Sequence, residues 1–361
     1  MFALLNNTRV FANALKTNII LRPYNYNIRI FFTNTSELST ITIPTKMQRI
    51  WVPSAKDFLD SSCQQYRLLS YNILAQELLT DNMFLYYDIK QKYLRWKNRI
   101  ALLGEEIRKI RPDIFCLQEV QHIHLKDIVN LLASNDDGHL KLEYVFKKRT
   151  GSRCDGCLIL YDREKFKLIK EHCVEYHTEN HSISDRENIA VLAKFAPKND
   201  LSKTFVVSTT HLLYNPRRHD VRICQINKLL AAIIDFAKES TKNYKLCPII
   251  LTGDFNCTND SGPFRILTAE RRFVCEETNK TNQQFKMYPL HFGDGTASTY
   301  QNQWTTVDYI LKSSSEEGED FIQINSTYHL PQLETCQAHG KLPNKYIGSD
   351  HFCLAIQFSI I

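Results

Sequence analysis

Six short stretches of this 361-residue chain end or border an apolar run with residues able to bind a metal or move a proton. They are Ser70-Tyr71-Asn72, Gln118-Glu119, Thr210-His211, Gly253-Asp254-Phe255-Asn256, Thr306-Val307-Asp308-Tyr309 and Ser349-Asp350-His351. One acid or amide at a strand end is usually an ordinary turn residue. Six in one chain point to a single cleft assembled from distant positions. The residue types suit hydrolysis of a phosphate ester. Such an ester repels anionic nucleophiles, so a hard cation must offset its charge. Magnesium takes few carboxylates and keeps several waters, and manganese can stand in for it. Glu119 is the best single ligand, with Asn72 and Asp350 beside it. Asp254 and Asn256 can orient an attacking water. His211 and His351 can donate to phosphoryl oxygens or transfer protons. Asp308 and Asp350 are expected to fix the tautomer and charge of the histidines. This is the division of labour of metal-assisted phosphoryl transfer.

Strands and helices in alternation must position these groups. Strands are predicted at Tyr66–Leu74, Asp113–Leu117, Tyr144–Lys148, Gly156–Tyr161, Ile189–Phe195, Thr204–His211, Pro248–Leu251, Thr306–Leu311 and Phe352–Phe358. Helices are predicted at Tyr93–Ile110, Leu125–Ser134 and Arg218–Lys238. In the first, Trp96, Ile100, Leu103, Ile107 and Ile110 recur at helical spacing, and Pro112 ends it. Adjacent strands together with interposed helices predict an α/β fold: a four-layer sandwich of two packed mixed β-sheets flanked by helices. Residues 66–361 are expected to form this domain. Residues 1–65 read as a leader and a poorly patterned linker. Glu316–Asp320 reads as a solvated acidic loop.

The net charge of +6 is concentrated at the start. Residues 1–50 hold six basic groups and one acid, Glu37, which leaves the rest nearly neutral. Bulk charge therefore gives no case for nucleic acid, and phosphate attraction must come from local groups or a bound cation. The first 36 residues lack Asp and Glu, as a mitochondrial presequence does. The expected address is cytoplasmic or mitochondrial. No run of eighteen apolar residues occurs, so no membrane span is expected. Eleven cysteines without regular spacing read as reduced thiols. Cys154 and Cys157 form a C-x-x-C, but no second pair follows to complete a zinc site.

The motif series resembles the endonuclease/exonuclease/phosphatase superfamily, and within it the deadenylase–nocturnin branch. The resemblance covers about residues 66–360. It rests on RLLSYNILAQ at 67–76, RPDIFCLQEV at 111–120, RTGSRCDGC at 149–157, HLLYNPRR at 211–218, LTGDFN at 251–256, TVDYI at 306–310 and LPNKYIGSDHF at 342–352. It implies that Glu119 matches the magnesium-binding glutamate. Asn72, Asp254 and Asn256 match residues that hold metal and water. His211 and His351 match the two active-site histidines, and Asp308 and Asp350 their carboxylate partners. Pro216 stands where the branch walls its base pocket. Trp304 is a base-stacking candidate, with a core tryptophan as the plain alternative. Arg149, with Lys147, Lys148 and Arg153, could track an RNA backbone or merely decorate a solvated hairpin.

The resemblance implies an enzyme acting on the 3′ end of RNA. Two reactions use the same groups: 3′→5′ removal of poly(A), and hydrolysis of a terminal 2′,3′-cyclic phosphate. The competing readings are a phosphoesterase acting on DNA or on a phospholipid or inositol phosphate, and a non-catalytic RNA-binding scaffold. No protein partner is predicted. Tyr328 and Leu333 have the spacing of a motif that binds the cap-binding initiation factor, but Glu334 breaks its hydrophobic step.

Overall fold

The computed structural model describes residues 47–54, 63–135, 138–180, 182–238, 246–274, 281–313 and 321–361. The basic leader and the Glu316–Asp320 loop lie outside the described residues. Side chains alternate across each strand, and this alternation builds the layers. In β2 (Gln65–Asn72), Leu69 and Tyr71 join a core with Leu103 and Ile107 of helix α1 (Trp96–Ile110) and Ile128 and Leu132 of α2 (Leu125–Ala133). Its alternate residues, Leu68, Ser70 and Asn72, face the second sheet. In β9 (Ile249–Asp254), Ile249 and Leu251 pack on α3 (His219–Ala237) and α4 (Gly262–Thr268), with Leu229, Ile233 and Leu267.

Seven strands form the first sheet in the order β1-β12-β13-β2-β3-β5-β4. These are β1 (Trp51–Pro53), β3 (Ile114–Gln121), β4 (Leu142–Lys148), β5 (Asp155–Asp162), β12 (Ile322–Tyr328) and β13 (Leu354–Ile360), with β2 at the centre. The second sheet runs β10-β11-β9-β8-β7-β6. It holds β6 (Phe166–Glu175), β7 (Ile189–Pro197), β8 (Phe205–His211), β10 (Met287–Pro289) and β11 (Asp308–Ser313) around β9. β2 pairs with β3, and β8 with β9, in parallel; the other pairs in both sheets are antiparallel. The expected sandwich of two mixed sheets between helices is therefore observed. No helix among the described residues is long and apolar enough to cross a membrane.

Polarity changes along the space between the sheets. At one end Tyr66, Phe166, Phe195, Phe205 and Phe358 form a continuous aromatic cluster with centroids 4.7–6.0 Å apart. Each such pair adds about 0.5–1.5 kcal/mol beyond its buried area. Towards the other end the layer turns polar. Gln118 Nε2 donates to Thr209 Oγ1 across the sheets at 2.8 Å, and Asn72 and Asp254 stand beyond it. The apolar end locks the sheets together and the polar end opens as a cleft.

Three sequence expectations change. Trp51–Pro53, expected in the linker, is an edge strand on β12. Arg49 before it is buried, paired to Glu106 at 3.3 Å and donating to the Cys353 carbonyl at 2.7 Å. The expected helix Tyr93–Ile110 divides at Arg95, whose extended backbone (φ −74°, ψ 130°) separates Gln91–Leu94 from α1. Strands β6 and β12 were not foreseen. β6 is an edge strand whose sequence, FKLIKEHCVE, is charged along an exposed face, and β12 is largely polar, so neither carries an apolar run.

Candidate active site

The strand ends converge on one amide. Asn72 Nδ2 donates to Glu119 Oε1 at 2.9 Å and to Asp254 Oδ2 at 3.0 Å, with His351 Nε2 3.5 Å away. Asn72 closes β2, and its own Oδ1 accepts from the Leu74 backbone N–H at 3.0 Å. Glu119 lies within β3, which runs to Gln121 rather than ending at Leu117 as expected. The ladder with β5 shifts register between Leu117 and Val120, and Glu119 sits at φ 56°. Regular alternation would send Glu119 to the face opposite Gln118. The bulge turns it into the cleft instead. A left-handed backbone on a glutamate costs on the order of 1–3 kcal/mol. Gly253 answers a different demand: a Cβ there would lie 2.2 Å from the Thr210 carbonyl oxygen, so only glycine lets β8 and β9 bring His211 and Asp254 level.

The two histidines are pushed in opposite directions by their surroundings. His351 Nδ1 donates to Asp308 Oδ2 at 2.9 Å, and Asp308 Oδ2 also accepts from Ser298 Oγ at 2.6 Å. Ser298 is in turn fixed by the backbone N–H groups of Val307 and Asp308, at 3.1 and 3.3 Å. Burial pulls the His351 imidazole down, but Asp308, Asp254 and Asp350 outweigh it and hold the group well above its usual range. His211 goes the other way: burial lowers it, with Asp254 only partly compensating. Its Nε2 lies 3.5 Å from Asp254 Oδ2, and its Nδ1 has no hydrogen-bond partner among the described residues. One imidazole is thus poised as a cation and the other as neutral.

Asp350 meets His351 at ion-pair distance, as expected, but its hydrogen-bond partner is a tyrosine. Its Oδ2 accepts from Tyr86 OH at 2.7 Å, and its Oδ1 lies 3.9 Å from His351 Nε2. Asn256, at φ 49°, donates its backbone N–H to Asp254 Oδ1 at 3.0 Å and its side-chain amide to the Leu212 carbonyl at 2.9 Å. Its amide nitrogen therefore ties the His211 loop to Asp254. Tyr86, Ser298, Asp155 and two buried arginines escaped the sequence reading, because the loops and strands that bring each to its partner are set by the fold and not by a local motif. Arg99 in α1 is fully buried and donates to the carbonyls of Ile73, Leu74 and Gly348 at 2.8–3.1 Å. It joins the loop after Asn72 to the loop before Asp350. Arg222 in α3 caps the carbonyls of Leu213, Asn215 and Pro216 at 2.7–3.0 Å and shapes the loop after His211.

The donor set fits a hard divalent cation. Glu119 and Asp254 are both buried, and burial raises both carboxyls, Glu119 to about 7 with help from Asp350 and Asp155. Crowded carboxylates of this kind are relieved by a bound cation. Asp254, Asp308 and His351 also bring ligand atoms within 4.8 Å of one another. There, however, Asp308 is already bonded to both His351 and Ser298. Glu119, beside Asp350, could also hold a cation.

Residues 69–351 match the model of the endonuclease/exonuclease/phosphatase family. The chain belongs to that family. Protein angel of Drosophila melanogaster is 40% identical over 310 residues, 83% of this chain and 82% of that one. The crystal structure of ANGEL2, a 2′,3′-cyclic phosphatase in complex with adenosine-2′,3′-vanadate, aligns with a TM-score of 0.73 at 25% identity, covering 87% of this chain and 99% of that one. The human nocturnin catalytic domain has the same fold, with a TM-score of 0.59 at 20% identity over 87% of this chain and 98% of that one. The chain is accordingly an angel-like phosphoesterase, a hydrolase of the endonuclease/exonuclease/phosphatase family.

Among the residues taken from the resemblance, Arg149 departs furthest from expectation. Its guanidinium pairs with the buried carboxylate of Asp155, and its backbone N–H donates to the Asp155 carbonyl at 2.9 Å. It is mostly buried rather than on a solvated hairpin, and its charge acts on Glu119 and His211. Pro216 is exposed in the loop that Arg222 holds. Trp304 is half-buried, stacked on Phe352 at 6.0 Å and against Tyr300 at 5.2 Å.

Proposed function

We propose that this protein is a magnesium-dependent phosphodiesterase of RNA 3′ ends, and that its first substrate is a terminal 2′,3′-cyclic phosphate. The observation that carries the reading is the convergence of Glu119, Asp254 and His351 on the Asn72 amide. Alignment with 99% of the cyclic phosphatase ANGEL2 favours the cyclic end as substrate. Glu119, with Asp350 and the Oδ1 face of Asn72, would hold the cation. Magnesium supplies charge neutralisation at the phosphoryl oxygens; manganese would do the same.

The chain's own groups do the rest. Asp254 takes the proton of the attacking water, held in place by Asn72 and the Asn256 N–H. His351, kept cationic by Asp308, donates Nε2–H to the phosphoryl group as negative charge builds. His211, neutral, sits across Asp254 Oδ2 and can accept or relay a proton at Nε2. Arg149 holds its positive charge beside Glu119, fixed by Asp155. The ester bond to one ribose oxygen breaks, water's oxygen joins phosphorus, and the leaving oxygen takes a proton.

The test uses one RNA sequence with two ends. A 2′,3′-cyclic phosphate end should be opened rapidly while a 3′-hydroxyl poly(A) tail stays intact. Shortening of the tail with no reaction at the cyclic end would replace this reading with the deadenylase one. Hydrolysis of abasic DNA or a phosphoinositide but of neither RNA would overturn both.

A further inference from the structure

Three segments meet beside Asp350 with no part in the chemistry above. Tyr87 and Asp88 follow Tyr86, whose hydroxyl bonds Asp350. Tyr300 belongs to a short hairpin, Thr299–Tyr300 paired with Trp304–Thr305. Its backbone N–H donates to the Asp350 carbonyl at 3.3 Å, and Thr299 bridges to His351. Lys341 follows the helix Leu333–His339. Its Nζ lies 5.3 Å from the Tyr87 ring centre and 5.6 Å from that of Tyr300, and it bonds Asp88 at 2.7 Å. A single lysine therefore sits between two tyrosines, each one residue from a group that touches Asp350 or His351.

This face is open. Tyr87 is 80% exposed and nearby Phe84 69%. An open groove of about 520 Å³ runs from Tyr300 and Trp304 to Gln337 and Lys341. A second lysine–tyrosine pair, Lys345 over Tyr346 at 4.4 Å, lies against His339 at the end of the helix that lines it. Exposed aromatic faces add little to folding stability. Interleaved with cations and running up to a phosphate-ester site, they suit unpaired bases, because every base has a π-face and every linkage a negative charge.

We propose that this face is the track for the single-stranded RNA behind the reacting end. Bases 5′ of the terminal nucleotide stack on Tyr87 and Tyr300, and Lys341 meets a phosphate between them. This rests on the RNA reading above and extends it to substrate length and strandedness.

The test compares a mononucleoside 2′,3′-cyclic phosphate with a single-stranded decamer ending in a 2′,3′-cyclic phosphate, using the full chain with magnesium. Binding of the fluorescein-labelled decamer is measured separately in chelator, where turnover stops. Tyr87→Ala, alone and with Tyr300→Ala, should raise the decamer's KM and Kd roughly ten-fold or more, with kcat and the mononucleotide's KM unchanged. Tyr87→Phe keeps the stacking face and should behave as wild type. The single variant changes a largely exposed side chain, so folding does not confound it. Unchanged decamer binding and KM, or equal losses on both substrates, would overturn the track. If wild type hydrolyses neither substrate yet the variants lose decamer binding, the track stands and the cyclic-phosphatase reading falls.

Discussion

At the scale of single residues the site is a set of charges held against their preference. Glu119 and Asp254 are buried carboxyls raised by desolvation, and His351 is a buried imidazole raised by its acidic neighbours. Asp254→Asn should lower kcat on the cyclic end by about a thousand-fold while decamer binding in chelator is retained. Unchanged turnover would remove Asp254 from the chemistry. Asp308→Asn tests the His351 pair. With that charge gone the imidazolium loses its proton at lower pH, so the high-pH limb of kcat should move down by about one unit or more. A limb that stays put would mean that His351 does not act as the cation. The same residues were legible as chemistry because each is a strand-end acid, amide or imidazole. Their pairing was not: Asp308 hydrogen-bonds His351, while Asp350 bonds Tyr86 and acts on His351 by charge.

At the scale of elements, helices supply buried cations that shape loops of the sheets. Arg99 reaches out of α1 to carbonyls on both sides of the cleft, and burial brings its guanidinium down to about 10 despite the pull of Asp350, Tyr86 and Glu119. Gly348 allows this contact, since a Cβ there would lie 2.4 Å from the Arg99 carbonyl oxygen. Arg99→Met should leave three carbonyls without a donor and destabilise the fold by about 3 kcal/mol. Chemical denaturation measures this directly; a loss within experimental error would show that water replaces the guanidinium. The edge strand β1 gives a second prediction. Removal of residues 1–54 takes away Arg49 and its buried ion pair and should cost about 3–5 kcal/mol. Removal of residues 1–36 alone should leave the melting temperature unchanged. The two truncations, compared by thermal melt, decide where the folded domain begins.

At the scale of the whole molecule, two sheets meet at an aromatic end and part at a polar one, so a rigid sandwich presents groups from eight separate sequence positions to one cleft. Four carboxylates stand in or beside that cleft: Glu119, Asp254, Asp308 and Asp350. Chelation should therefore abolish turnover, and added magnesium should restore it, measured on the cyclic-ended RNA. Full activity in chelator would exclude the cation from the reaction. Replacing Glu119 with Ala should raise the magnesium concentration needed for half-maximal rate, which a plain loss of folding would not do selectively.

The sequence by itself determined the layers and the chemical alphabet of the site. Period-two runs such as Leu68–Asn72 and helical runs such as Trp96–Ile110 need only local pattern, and Asn72, Glu119, His211, Asp254, Asn256, Asp308, Asp350 and His351 declare themselves by type and position. Tertiary structure decided what each of them touches. The bulge that swings Glu119 inward, the Ser298 hydroxyl under Asp308, the Asp155 carboxylate that buries Arg149 and the Arg99 bridge between two loops are all set by how strands and loops pack together. No local pattern encodes such contacts, because burial, hydrogen-bond geometry and electrostatic shift depend on which distant side chains share the cleft.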